Sequence, residues 1–168
     1  MTGLLATACG SSSSSSSAGA SSTPSAGNAV ASTSSSSSNG PYASGASAVK
    51  VTTKHSKDGT ILAAGPKELT VYMFQGDKGS KSNCSGACAV AWPPVVAKRS
   101  PTASGKASSS DVGTTMRAGG VAQVTYKGHP LYYFIKDKDD GDAYGQAKHA
   151  FGADWYVLAP SGEKVDNS

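Results

Sequence analysis

Two stretches of this chain, TVYMFQGD (residues 70–77) and LYYFIKD (residues 131–137), share the pattern of Tyr, any residue, Phe, two further residues and Asp. The motif residues are Tyr72, Phe74 and Asp77 in the first copy, and Tyr132, Phe134 and Asp137 in the second. The two tyrosines are 60 residues apart. Recurrence at a fixed spacing indicates a duplicated structural unit.

The sequence around each copy also repeats. Downstream, AWPPVV (residues 91–96) and DWYVL (residues 154–158) align Trp92 with Trp155. Upstream, the turn-forming stretches GPKE and KGHP each follow a short apolar run. Each unit therefore contains a strand, a turn, a strand that ends in the motif, a polar loop and a tryptophan segment. We place repeat 1 at about residues 50–98, a polar linker at 99–112 and repeat 2 at about 113–162.

The residue types in these units favour strands. QVTY and LYYFI are rich in β-branched and aromatic residues, and a turn signal separates them. Successive side chains of a strand point to opposite faces, and both faces of LYYFI are apolar, which predicts burial on both sides. A short helical turn is expected around residues 85–92, ended by two prolines. The predicted fold is mainly β: an antiparallel domain built from two internal repeats with short helical turns.

Charge divides the chain into two parts. No Asp, Glu, Lys or Arg precedes Lys50, and residues 10–49 are mostly Ser, Ala, Gly and Thr. Such a segment cannot bury enough apolar surface to offset the entropy of ordering, so we predict a disordered tether ahead of a β domain at 50–168. The net charge of +4 comes from scattered lysines. That distribution argues against a nucleic-acid partner.

Residues 1–9 end in ATAC, and a run of serines follows Cys9 closely. Small residues before a cysteine, followed by a polar tether, resemble a bacterial lipobox. The resemblance predicts a lipid on Cys9 and an anchored protein that faces outward, or a periplasmic or extracellular location. A charged n-region and a long apolar h-region are missing, and one explanation is that the true start lies upstream and Met1 is internal. The alternative is a free thiol in a soluble tail.

The order of the motifs across residues 50–162 is a more specific signal than the lipobox. VYMFQGD and LYYFIKD, together with CSGACAVAWPP and QVTYKGHPLYYF, resemble the bacterial secreted-repeat lipoprotein family defined by a Y-x4-D motif. The resemblance covers most of residues 50–162 and implies an exported, often lipid-anchored protein. It implies no catalytic residues, because the function of that family is undefined.

The motif residues and the loop after the second copy allow two interpretations. Tyr can pack its ring in the core while its hydroxyl bonds a polar partner, and Asp can accept backbone N–H bonds from the following turn. The alternative is a ligand rim. The loop DKDDGDAYGQ offers four carboxylates to calcium: Asp137, Asp139, Asp140 and Asp142. The spacing departs from an EF-hand, because Gly141 and Lys148 stand at the fifth and twelfth positions, so a solvated acidic turn is favoured.

Cys84 and Cys88 form a C-x-x-x-C pair. Residues four apart on one helical turn are close enough to be bridged, and export favours a disulfide. The alternative is a copper or thiol-redox site in which His129 or His149 joins the two thiolates, with Met73 or Met116 as a further ligand.

No nucleophile elbow, zinc-protease motif, P-loop or dinucleotide-binding pattern occurs. We therefore predict a non-enzymatic binding or structural module of the cell envelope, without a cofactor. Its expected partners are the membrane, through the lipid anchor, and an envelope polymer or protein.

Overall fold

The computed structural model describes residues 48–167, all of which belong to one compact unit. The predicted segment 1–9 and the tether as far as residue 47 lie outside the described residues. Within 48–167, no helix has the length and apolar character needed to cross a membrane. The elements of this range are β1 (Lys50–Ser56), β2 (Gly59–Ala64), β3 (Leu69–Thr70), β4 (Tyr72–Phe74), α1 (Ala87–Ala91), β5 (Thr102–Ala103), β6 (Val112–Met116), β7 (Ala122–Tyr126), β8 (His129–Pro130), β9 (Lys148–Ala150) and β10 (Ala153–Val157).

The strands form three small sheets. The first has the order β3-β2-β1-β5, the second β6-β7-β8, and the third β4-β10-β9. In the first sheet, β5 runs parallel to β1, with Val51 opposite Ala103. Because β5 lies within the predicted linker 99–112, that segment is part of the first sheet. The prediction of a mainly β, antiparallel domain with short helical turns is confirmed, and α1 lies within the expected residues 85–92.

The two repeats exchange their motif strands. β4 of repeat 1 pairs with β10, the tryptophan segment of repeat 2, which places Phe74 opposite Trp155. In the reciprocal pairing, the N–H of Tyr133 donates to the carbonyl of Pro93 at 2.8 Å. At the centre, Tyr72 and Tyr132 donate to each other's carbonyls at 2.8 and 3.0 Å. Each repeat therefore supplies the strand that the other repeat lacks.

One predicted strand is shorter in the structure. LYYFI was expected to be a strand throughout, whereas β8 covers His129–Pro130 and Tyr132 forms isolated bridges to Tyr72 and Pro94. The physical reason is that Pro93 and Pro94 have no N–H, so the facing segment cannot donate to a regular ladder. β10 has no proline and forms a regular strand at the equivalent place.

The motif strands separate two hydrophobic clusters, because their side chains alternate. The aliphatic core contains Val71, Met73, Leu131 and Tyr133, packed against residues such as Val124 and Leu158. The aromatic core contains Tyr72, Phe74, Tyr132, Phe134, Trp92 and Trp155 with both cysteines. Residues 131–134 are thus buried on both faces, as predicted, while Ile135 is 39% exposed because the chain turns there.

Candidate functional site

The centre of the aromatic core is a four-ring stack in the order Phe74, Trp155, Trp92 and Phe134. The two indoles are parallel, with centroids 3.9 Å apart and an interplanar angle of 4°. Phe74 stacks on Trp155 and Phe134 on Trp92, each at 4.3 Å. Each phenylalanine therefore packs on the tryptophan of the other repeat. Both indoles are almost fully buried.

The motif tyrosines and aspartates also pair between repeats. The hydroxyl of Tyr72 donates to Oδ2 of Asp137 at 2.6 Å, and that of Tyr132 donates to Oδ2 of Asp77 at 2.8 Å. Each tyrosine ring meets one indole edge-on, at 5.3 Å for Tyr72 on Trp92. The two residues of one Y-x4-D motif therefore do not bond each other; each is bonded by its counterpart in the other copy.

The same aspartates also bond the loops that follow them. Oδ1 of Asp77 accepts the N–H of Asn83 at 2.7 Å, and Oδ1 of Asp137 accepts the N–H of Tyr144 at 3.1 Å. In the second loop, the N–H of Gly145 bonds the Tyr72 hydroxyl at 3.2 Å. A Cβ at Gly145 would lie 2.8 Å from ring atoms of Trp92 and Tyr72, so only glycine allows this approach.

Burial determines the protonation of these pairs. Desolvation raises the pKa of Asp77 and Asp137 above the ordinary aspartate value, although the bonds they accept oppose this shift. Burial also raises the pKa of Tyr72 and Tyr132, and the neighbouring carboxylates raise it further. The tyrosines therefore stay neutral and donate hydrogen bonds. Burial disfavours the charged form of the two aspartates.

This arrangement predicts that Asp77 and Asp137 stabilise the domain more in mild acid than at neutral pH. Their folded pKa values lie above the ordinary 3.8, so the folded state binds protons before the unfolded chain does. That contribution is fully present below the unfolded pKa and is lost as the pH rises through the folded pKa. Thermal melts at about pH 4 and about pH 7 measure it.

The control is the double variant Asp77→Asn and Asp137→Asn, in which neither position titrates. On going from neutral to mildly acidic pH, the melting temperature of the wild type should rise relative to that of this variant. The pKa of Asp142 is lowered by backbone bonds, so its contribution to stability falls as the pH falls, but both proteins carry Asp142 and its effect cancels in this difference. A wild type and variant with parallel pH dependences would contradict the prediction.

A cationic side chain of the other repeat bonds each of the two loops that follow the motifs, the first after Asp77 and the second after Asp137. Arg117, at the end of β6, donates to Ser82 Oγ at 2.6 Å and to the carbonyl of Cys84 in the first loop. Ser82 Oγ in turn lies 2.7 Å from the Tyr132 hydroxyl. Lys54 of β1 donates to the carbonyl of Asp140 in the second loop and to that of Glu68 at 3.1 Å. Burial lowers the pKa of Lys54.

Two carboxylates of the acidic loop accept hydrogen bonds from backbone N–H groups of the same loop. Asp137 faces the core, and Oδ2 of Asp142 accepts the N–H groups of Lys138 and Asp139 at 2.8 and 3.1 Å. The four carboxylates considered for calcium, Asp137, Asp139, Asp140 and Asp142, therefore do not converge. Within residues 48–167, no group of three or more His, Cys, Asp or Glu could hold a metal ion.

The cysteine pair is a disulfide in the structure, with a Cα–Cα distance of 5.3 Å between Cys84 and Cys88. The bridge links the first loop to α1, immediately before Trp92. On the chain-entropy model, a ring this small stabilises by about 2 kcal/mol. The disulfide leaves no thiolates for copper, and His149 bonds Asp154 at 2.6 Å, so the structure does not support the alternative built on Cys84, Cys88, His129 and His149.

Several residues of this site were missed in the sequence. Arg117, Lys54 and Gly145 stand outside the repeated motif and carry no pattern of their own. The one available signal is the glycine at position 145 in the loop after Asp137, and the need for glycine there cannot be inferred without knowing which rings lie next to it. Cys9, the predicted lipidation site, lies outside the described residues.

Comparison with known proteins agrees with the duplication. A family model described as a secreted repeat of unknown function matches residues 52–96 and, again, residues 113–159, which together are more than half of the chain. No curated protein and no solved structure matches the chain significantly. The exchanged strands, the four-ring stack and the crossed Tyr–Asp bonds all lie within the matched segments. The chain thus belongs to the family of secreted repeats of unknown function, with two copies of the repeat, and an extracytoplasmic location follows from that membership.

Proposed function

We propose that this protein is anchored in the membrane through a lipid on Cys9 and that its β domain is a non-enzymatic binding module of the cell envelope. The observation that carries this proposal is the crossed bonding of the motif. The hydroxyls of Tyr72 and Tyr132 donate to Asp137 and Asp77, whose second oxygens accept loop N–H groups. The residues of the repeated motif are thereby engaged in holding the domain together.

The polar groups of the core support a structural role for the motif. Within residues 48–167, no buried side-chain nitrogen or oxygen lacks a hydrogen-bond partner. A reactive site commonly keeps a polar group available for substrate, with its pKa adjusted to that task. Here the perturbed groups, Asp77 and Asp137, are each bonded by a tyrosine and a backbone N–H. A domain of this kind is suited to present a fixed surface at the end of a long polar tether.

The anchor is tested by expressing the protein from its own gene in bacteria that process lipoproteins. We expect the wild type in the membrane fraction with acyl chains on Cys9, and globomycin should cause an unprocessed form to accumulate. Cys9→Ala should appear in the soluble fraction, while the matched tether variant Ser11→Ala should stay with the membrane. A wild type that is soluble and unacylated would overturn the anchored part of the proposal.

A further inference from the structure

The segment that joins the repeats borders an open cleft of about 440 Å³. One wall is formed by the chain that leaves the first tryptophan segment, including Lys98 and Arg99, and the other by β6 with Val112 and Thr114. This volume is within the range of small-molecule sites, roughly 300–1,000 Å³. The cleft lies outside the motif core, and none of the contacts described above occupies it.

Part of the lining consists of small apolar side chains, and we call Ala97, Val112 and Ala122 the floor of the cleft. Ala97 is bonded through its N–H to the carbonyl of Ala122 at 2.9 Å, and Val112 packs on the aliphatic core. Residues directly opposite each other in a β ladder share a face, so Met116, opposite Ala122, extends this face outward. Met116 is 66% exposed. The end of the aliphatic core is therefore open to solvent and continues into an exposed methionine.

The rim of the cleft is cationic. In the part of the chain that the structure describes, neither Lys98 nor Arg99 forms an ion pair or a side-chain hydrogen bond, and both are exposed. None of the lining residues is acidic. Asp111, which precedes Val112 in the chain, lies 3.9 Å from Lys127 in an ion pair of its own. The cleft thus combines an apolar floor with two positive charges that no carboxylate of its lining balances.

We propose that this cleft binds a small amphiphile with one anionic head group, its apolar part on Ala97, Val112 and Ala122 and its head group at Lys98 and Arg99. The proposal rests on the binding role proposed above and names its ligand class. Charge complementarity selects an anion, and the apolar floor selects a ligand that also has a hydrocarbon body. A bare anion would leave the floor uncovered, and a neutral lipid would leave the cations unmatched.

The test uses the full 168-residue chain with Cys9→Ser, labelled with ¹⁵N and titrated separately with octanoate, 1-octanol and inorganic phosphate. Octanoate should shift the amide resonances of residues 97–101 and 112–114. It should bind about tenfold more tightly than 1-octanol, because two exposed charge contacts together contribute that much, and more tightly than phosphate, because phosphate has no hydrocarbon body to cover the floor. Absence of binding, or shifts confined to other residues, would overturn the proposal, as would phosphate binding as tightly as octanoate.

Two variants with the same loss of charge sharpen the test. Lys98→Gln with Arg99→Gln should weaken octanoate binding about tenfold and leave 1-octanol binding unchanged. Lys67→Gln with Lys106→Gln, at two exposed positions that do not line the cleft, should change neither. If both pairs weakened octanoate binding equally, the binding would depend on the net charge of the protein and not on Lys98 and Arg99, and the proposed site would be wrong. Because the test protein carries no acyl group, a negative result bears on the cleft alone and leaves the Cys9 anchor to the fractionation experiment.

Discussion

Trp155→Ala is expected to lower the free energy of unfolding by about 3–5 kcal/mol, and Trp92→Ala by a similar amount. Each substitution removes a fully buried indole and also the two stacked contacts that the indole makes, with the other indole and with the phenylalanine of the opposite repeat. Small domains have a total stability of about 5–15 kcal/mol, so each variant should be marginally folded. Urea or thermal unfolding monitored by circular dichroism measures the loss.

The two tryptophan variants should not be additive. Because the indoles stack on each other, the double variant loses their mutual contact only once, so its cost should be less than the sum of the single costs. Val90→Ala is the matched control: Val90 lies on α1, close in sequence to Trp92, but is 68% exposed. Its effect should stay within about 0.5 kcal/mol. A loss below about 1 kcal/mol for either tryptophan would contradict the importance assigned to the stack.

The second large effect is expected at the crossed Tyr–Asp bonds. Tyr72→Phe removes one hydroxyl and leaves the buried Asp137 with only the Tyr144 N–H as a donor. Hydrogen bonds to charged groups contribute about 1.5–3 kcal/mol, so the unfolding free energy should fall by that amount. Tyr132→Phe should cost less, because Asp77 is less buried and Ser82 lies next to the removed hydroxyl. Chemical denaturation at neutral pH measures both losses.

The exposed tyrosine Tyr144 provides the control for this pair. Its ring is 62% exposed, so Tyr144→Phe should change stability by no more than about 0.5 kcal/mol. If Tyr144→Phe and Tyr72→Phe had equal effects, the loss at Tyr72 could not be assigned to the buried bond.

Much of this fold could be predicted from the repeated motif. Alternation within LYYFI indicated burial on both faces, and residues 131–134 indeed separate the aliphatic and aromatic cores. The prolines after Trp92 indicated where the helical turn ends, and α1 ends at Ala91. These features depend on local rules of side-chain direction and backbone geometry, which a single sequence contains.

The pairing of the motif residues could not be predicted in the same way. Tyr72 and Asp77 stand five residues apart in one copy, and nothing in that spacing reveals that each bonds the other copy. The bonds cross between repeats because each motif strand pairs with the tryptophan segment of the other repeat. This pairing is a tertiary property that the local spacing does not contain. The strand β5 was missed for a related reason: its polar, proline-containing surroundings indicate a linker, and its pairing to β1 involves a distant segment.

Exchange of the motif strands also explains why this repeat occurs twice in one domain. A single copy would contain the motif strand of one unit and the tryptophan segment of the same unit, yet these do not pair with each other in the structure. The four-ring stack, the Tyr–Asp bonds and the bonds that Lys54 and Arg117 donate to the loops after the motifs all cross between copies. The duplicated unit is therefore half of a fold, and the second half completes it.

Each Y-x4-D motif is completed by the other copy, and a pair of double-mutant cycles measures this coupling. One cycle combines Tyr72→Phe with Asp137→Ala, across repeats; the other combines Tyr72→Phe with Asp77→Ala, within one motif. Bonding across the repeats predicts a coupling energy of about 1.5–3 kcal/mol for the first pair and less than about 0.5 kcal/mol for the second. Coupling within the single motif that equals or exceeds coupling across the repeats would contradict it.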